Sequence, residues 1–234
     1  MFATFDDAGR LYVAESSGLD LYRELQSQTR KCHIRQLEDR DGDGRFESSR
    51  MFVDKLVFPM GLAWRAGRLY VADPPDLVML TDTDGDQRAD TRRVILSGFG
   101  HRDNGSLHGL IFGPAGWLYM TMGSPDGYRL ELPHGETLEG ESGALIRCRA
   151  DGSSPRVLSR GFENLVEVAF TPRGDIFGTA NWFRDVNAPG SGGLRDAMVH
   201  LVEGGLYPYH REVGTPQPIT GQPLDAVALY PAVA

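Results

Sequence analysis

The sequence predicts an all-β protein, a β-propeller of four-stranded blades, of which this chain carries about four. Three observations predict it. A glycine-centred hairpin recurs four times, further strand patterns follow its copies, and the composition is rich in turn formers.

The first copy reads Phe5-Asp6-Asp7-Ala8-Gly9-Arg10-Leu11-Tyr12-Val13-Ala14. It returns as Trp64-Arg65-Ala66-Gly67-Arg68-Leu69-Tyr70-Val71-Ala72, and again as Phe112-Gly113-Pro114-Ala115-Gly116-Trp117-Leu118-Tyr119-Met120. The fourth reads Phe170-Thr171-Pro172-Arg173-Gly174-Asp175-Ile176-Phe177-Gly178. Registered on Gly9, Gly67, Gly116 and Gly174, the spacings are 58, 49 and 58 residues. The glycine supplies the positive φ of a tight hairpin, and the aromatic and β-branched residues fit a half-buried pleat.

Two weaker strands complete a unit. In the first they are His33-Ile34-Arg35-Gln36-Leu37 and Met51-Phe52-Val53. In the third they are Ala144-Leu145-Ile146-Arg147-Cys148 and Pro155-Arg156-Val157-Leu158. One four-stranded sheet cannot bury both its faces, so the units must stack as blades around a channel. A two-sheet sandwich would leave the recurrence unexplained. The blades fall near residues 1–60, 61–108, 109–166 and 167–223 of a single propeller domain. Leu224-Asp225-Ala226-Val227-Ala228-Leu229-Tyr230 is expected to open a fifth over 224–234, so the chain reads as part of a larger propeller.

Composition agrees. The 234 residues suffice for a sizeable core, and 41% hydrophobic with 24% charged residues excludes wholesale disorder. Glycine (29) and proline (14) together form roughly 18% of the chain, against ~12% in average usage. A net charge of -8 argues against nucleic acid as a partner. No run approaches the ~18 apolar residues of a membrane span, and the N-terminus lacks the basic and apolar regions of a signal peptide. Cys32 and Cys148 are too few for a disulfide scaffold, and whether they pair stays open. Cys32-His33 lacks the second thiol of a C-x-x-C-H site, so no covalent haem is expected.

Two acidic loops repeat each other at an offset of 43 residues. Asp39-Arg40-Asp41-Gly42-Asp43-Gly44-Arg45-Phe46-Glu47 matches Asp82-Thr83-Asp84-Gly85-Asp86-Gln87-Arg88-Ala89-Asp90. Carboxylates at positions 1, 3 and 5 can curl around a hard cation, with position 9 adding another. Asp39, Asp41, Asp43 and Glu47, then Asp82, Asp84, Asp86 and Asp90, are the candidate calcium ligands. Position 12 is arginine in both loops (Arg50, Arg93), so the bidentate glutamate of an EF-hand is missing. The competing reading is a solvated Asp/Gly turn. Both loops are expected between the third and fourth strands of a blade, as structural staples.

Function in a propeller collects where loops enter the innermost strands. Those loops, with the second-to-third-strand connections on the same face, bring candidate catalytic residues His108, Glu163 and Arg184. Asn104, Asn164 and Asn181 would orient a polyol or a quinone carbonyl, and a histidine near a carboxylate can serve as general base. The plainer alternative has His108 capping a strand end and bonding to a neighbouring loop.

His108-Gly109-Leu110-Ile111-Phe112-Gly113-Pro114-Ala115-Gly116-Trp117-Leu118-Tyr119 resembles the blade signature of a bacterial propeller family, the PVC-type haem-binding or membrane-bound dehydrogenase proteins. Glu163-Asn164-Leu165-Val166-Glu167-Val168 is similar to that family's N-P-V-E-V segment, with Leu165 in place of proline. Arg195-Asp196-Ala197-Met198-Val199-His200, Gly204-Gly205-Leu206-Tyr207-Pro208 and the aspartate loops extend the resemblance over nearly the whole chain. It implies a six-bladed propeller similar to soluble quinoprotein glucose and sorbosone dehydrogenases. It also implies a periplasmic or secreted location and oxidation of a sugar or polyol, with hydride passing to bound pyrroloquinoline quinone and His108 as base. Longer members carry a cytochrome domain, which here would be a separate electron-accepting partner. Two positions depart: the quinoprotein glucose dehydrogenases have a histidine shortly before the G-P turn, from which His108 is displaced towards Gly113, and arginine before the asparagine, where this chain has Glu163. A carboxylate there repels an anionic quinone. The competing class is a non-catalytic propeller that binds glycan or protein partners.

Overall fold

The computed structural model describes residues 2–102, 106–123, 127–133, 135–181, 197–207 and 229–231. Blade one holds β1 (Ala3–Phe5), β2 (Leu11–Glu15), β3 (Cys32–Glu38) and β4 (Ser48–Leu56), with helix α1 (Leu21–Ser27) between β2 and β3. Blade two holds β5 (Leu62–Arg65), β6 (Arg68–Asp73), β7 (Asp76–Thr81) and β8 (Thr91–Ser97). Blade three is built on β9 (His108–Phe112) and β10 (Leu118–Thr121). A hairpin of β11 (Tyr128–Glu131) and β12 (Thr137–Gly140) follows, and β13 (Gly143–Cys148) and β14 (Arg156–Phe162) complete it. Blade four begins with β15 (Asn164–Phe170), β16 (Ile176–Asn181) and β17 (Ala197–Leu201). Within each blade the strands pair in chain order, and the first strands of successive blades are neighbours around the channel. The fold is the expected one to this extent: all-β, with about four propeller blades.

The recurring glycines take φ of +81°, +75°, +72° and +93° at Gly9, Gly67, Gly116 and Gly174, the left-handed turn for which the repeat selects them. The repeat also carries an aromatic code. Tyr12 stacks on Trp64 (5.1 Å between ring centroids), Tyr70 meets Phe112 edge-on (5.0 Å), and Tyr119 meets Phe170 (4.8 Å). Each second-strand tyrosine thus packs on the first-strand aromatic of the next blade. The alternation of a strand then sends neighbours to different interfaces. Leu69 and Val71 of β6 join the core against blade one, whereas Tyr70 and Ala72 join the core against blade three. Leu118 and Met120 face blade two, and Tyr119 faces blade four.

Two strands lie where the repeat does not place them. β18 (Gly205–Leu206) leaves blade four and pairs in parallel with β14, extending blade three to five strands. The outer edge of β17 is therefore taken by β19 (Leu229–Pro231), antiparallel to it. Leu229 and Tyr230, read as part of a fifth-blade strand, instead complete the fourth blade; residues 224–228 lie outside the described residues. Cys32 and Cys148 are buried free thiols in blades one and three, and burial pushes Cys148 up to about 12. Among the described residues, no helix is long and apolar enough to cross a membrane.

Candidate functional site

Antiparallel pairing gives the propeller two ends. One, the mouth, carries the connections into each first strand and those between second and third strands. The other carries the repeat hairpins and the aspartate loops.

At the mouth between blades three and four, His108 opens β9 and is 3% exposed. Its Nδ1 lies 2.7 Å from Thr121 Oγ1, and its Nε2 lies 2.8 Å from the Asn164 side-chain amide. The Thr121 hydroxyl donates to the Val166 carbonyl at 2.7 Å. Burial pushes the imidazole down to about 4, so it is neutral and carries one proton. Thr121 spends its only proton on Val166, so Nδ1–H is the donor to Thr121 and Nε2 accepts. The atom facing Nε2 is Asn164 Oδ1, and this tautomer requires the isosteric amide flip that presents NH2 to the ring instead. Gly109 makes this closeness feasible: at φ +56°, a Cβ there would stand 2.2 Å from Thr121 Oγ1 and 2.4 Å from the Val166 carbonyl oxygen. His108 therefore ties blade three to blade four.

Asn164 pairs with Asn181 across β15 and β16, and Gly123 bridges to Asn164 from blade three. The structure thus gathers His108, Asn164 and the Asn181 backbone, with half-buried Glu163 next in the chain. Asn104, Arg184 and the Asn181 side chain lie outside the described residues. Sequence reasoning missed Thr121, which the bulged β9–β10 register sets opposite His108, and the Val166 carbonyl, which lies at the register shift of β15.

Blade two has its own buried mouth group. Asp73 Oδ1 accepts from the backbone N–H of Val57 and of Phe58, both at 2.8 Å, fixing the connection into β5. Burial raises this carboxyl to about 6 despite those two bonds. In blade one, Glu15 accepts from Arg35 Nε at 2.9 Å and lies 2.5 Å from His33 Nε2. Helix α1 reaches across with Gln28 Nε2 donating to the Pro74 carbonyl. On the axis, a cavity of about 190 Å³ is lined by all four blades and includes Glu167.

The aspartate loops occupy the other end, between β3 and β4 and between β7 and β8, as expected. Their backbones are bonded alike. Asp39 accepts from Gly42 and Gly44 N–H at 2.7 and 2.9 Å; Asp82 accepts from Gly85 and Gln87 N–H at the same distances. In the first loop, Asp39, Asp41, Asp43 and Glu47 each bring an oxygen within 4.8 Å of the others. In the second, Asp82, Asp84 and Asp90 do so, and Asp86 does not join them. Asp90, shorter by one methylene than Glu47, is bound by Thr83 N–H and Thr83 Oγ1 at 2.7 Å each, which hold its carboxyl below the usual range. Both donor sets are hard oxygens and fit calcium rather than a soft metal.

Residues 1–193 match the family model described as Domain of unknown function (DUF7133). Among solved structures, the chain is similar to the PQQ-bound aldose sugar dehydrogenase of Streptomyces coelicolor, at 16% identity and TM-score 0.59, over 90% of this chain and 62% of that one. It is similar to the PQQ domain of pyranose dehydrogenase from Coprinopsis cinerea, at 15% and 0.58, over 88% and 53%. It is also similar to the calcium-binding protein regucalcin of Agrobacterium tumefaciens, at 13% and 0.53, over 89% and 63%. The chain spans less than two thirds of each neighbour, and the likeness is one of fold. Among curated proteins no sequence match is found.

Proposed function

We propose that this chain, which belongs to the DUF7133 family, is a calcium-stapled β-propeller domain whose mouth binds a neutral polyhydroxylated ligand: a sugar, a polyol or a glycan. The observation that carries the calcium assignment is the pair of aspartate loops, with matching backbone bonds and converging carboxylates. Asp39, Asp41, Asp43 and Glu47 would hold one ion, and Asp82, Asp84 and Asp90 a second. Asn164 and the carboxylate Glu163 supply the neutral and anionic hydrogen-bonding groups that suit hydroxyls.

A second reading, quinone-dependent oxidation of a sugar or polyol in a longer protein, is favoured by the fold shared with the PQQ-bound sugar dehydrogenase. The described residues do not fit it. His108 has both ring nitrogens engaged inside the protein, and Glu163 stands beside Asn164 where an anionic quinone would be repelled.

Calorimetric titration of chelator-treated protein with calcium tests the first part, and two binding events are expected. No heat at millimolar calcium would remove the assignment. Glycan binding and dye reduction with added quinone, measured on the same sample, separate the two readings. Saturable binding without turnover supports the binding domain; sugar-dependent turnover overturns it.

A further inference from the structure

A cavity of about 470 Å³ opens between blades two and three on the aspartate-loop end, away from the mouth. Four arginines line it: Arg65 and Arg68 from the two sides of the blade-two hairpin, Arg93 from β8, and Arg149 just beyond β13. Asp151 is its one carboxylate, and it already accepts from Ser153 N–H at 2.9 Å. Among the described residues none of the four arginines makes an ion pair. In a chain of net charge -8 with 24 basic residues, such a local excess opposes the overall charge.

The guanidiniums are also braced. Arg149 Cζ lies 3.6 Å from the Trp117 ring centroid, and Arg65 Cζ lies 4.9 Å from that of Phe112. Stacking fixes the plane of a guanidinium; Arg149 Nη1 also donates to the Ala115 carbonyl at 3.4 Å, and the N–H groups that remain can donate to an oxyanion. Gly116 leaves the room: a Cβ there would stand 2.8 Å from Arg65 Nη2. Repulsion among four unpaired cations favours any multivalent anion that can neutralise them.

We propose that this cavity binds a small multivalent oxyanion, a phosphate or sulfate ester. The site is separate from the mouth, and its Arg93 lies three residues beyond Asp90 of the second aspartate loop.

The test is calorimetry in the presence of chelator, at low and at physiological salt, with inorganic pyrophosphate, glucose 6-phosphate and glucose 6-sulfate as probes. Saturable binding is expected for at least one probe, weakening at least tenfold in R65Q/R149Q and several-fold in the singly substituted R68Q and R93Q. The last two change exposed side chains, so they report on binding where the double variant fails to fold. R129Q, whose arginine pairs with Glu139 on the β11–β12 hairpin, should bind as the wild type does. A preference between the phosphate and sulfate esters would identify the source of the anion. No saturable binding below 10 mM (on the order of 3 kcal/mol of affinity), or equal weakening by R129Q, would overturn the proposal.

Discussion

The two ends of the propeller handle charge in opposite ways. At the mouth, His108 and Asp73 are ionisable groups buried among blades, satisfied by backbone and neutral side chains, and displaced from their ordinary pKa values by desolvation. At the other end, carboxylates and arginines are gathered unneutralised at the surface, in the aspartate loops and in the cavity between blades two and three. The mouth uses polar groups to lock blades together, whereas the far end keeps charge available to ions. Burial separates the roles: a buried group must find its partner within the protein, and an exposed cluster can find it in solution.

The largest test of the lock is G109A. Its Cβ would meet Thr121 Oγ1 and the Val166 carbonyl well inside contact distance, so a loss of about 4 kcal/mol in urea unfolding is expected. A loss below ~1 kcal/mol would mean that the blade interface yields easily. Next is H108A, which strands the Thr121 and Asn164 groups in a hole and should cost about 3 kcal/mol. Rescue of stability by the bland H108Q would show that hydrogen bonding, not the imidazole itself, is required.

Calcium follows, at about 2–3 kcal/mol when saturating. D39N/D41N should abolish the tighter of two binding events and D82N/D84N the weaker, because the first loop gathers four carboxylates and the second three. The reverse order would show that carboxylate count does not set affinity here.

The smallest effect is in pH. His108 sits at about 4 in the fold against 6.5 ordinarily, so its contribution is fully present above pH 6.5 and is lost as pH falls through 4. Asp73 sits at about 6 against 3.8, and the sign reverses: its contribution is fully present below 3.8 and is lost as pH rises through 6. D73N should therefore gain on the wild type as pH rises across that window, and the gain should level off above pH 6. Parallel pH profiles of the two proteins would contradict the burial argument.

The propeller was legible because the hairpin repeat is local. Gly67 and Tyr70 sit at fixed offsets, and each is chosen by its own turn or by one neighbouring blade. The aspartate loops were legible for the same reason, down to the register of Asp39 with Asp82. Helix α1 was not, since seven residues carry little helical periodicity and its Asp20 cap resembles any turn. Neither was the course of the chain after β17, because the parallel pairing of β18 depends on contacts remote in sequence. The role of His108 was half legible. Its position beside Asn164 follows from the blade order, but its burial depends on Gly109 admitting Thr121 and Val166, which spacing alone does not reveal.

The detour of β18 has a consequence for how this protein meets others of its kind. An outermost strand usually shows a row of unpaired N–H and C=O groups to any passing chain. Along β14 part of that row is already taken, by Gly205 and Leu206 opposite Ser159 and Arg160. Tyr207 seals the seam, stacking on Phe162 at 4.5 Å and donating its hydroxyl to the His200 carbonyl at 2.6 Å. Blade three thus carries its own guard against strand-to-strand aggregation, lent by the blade beside it.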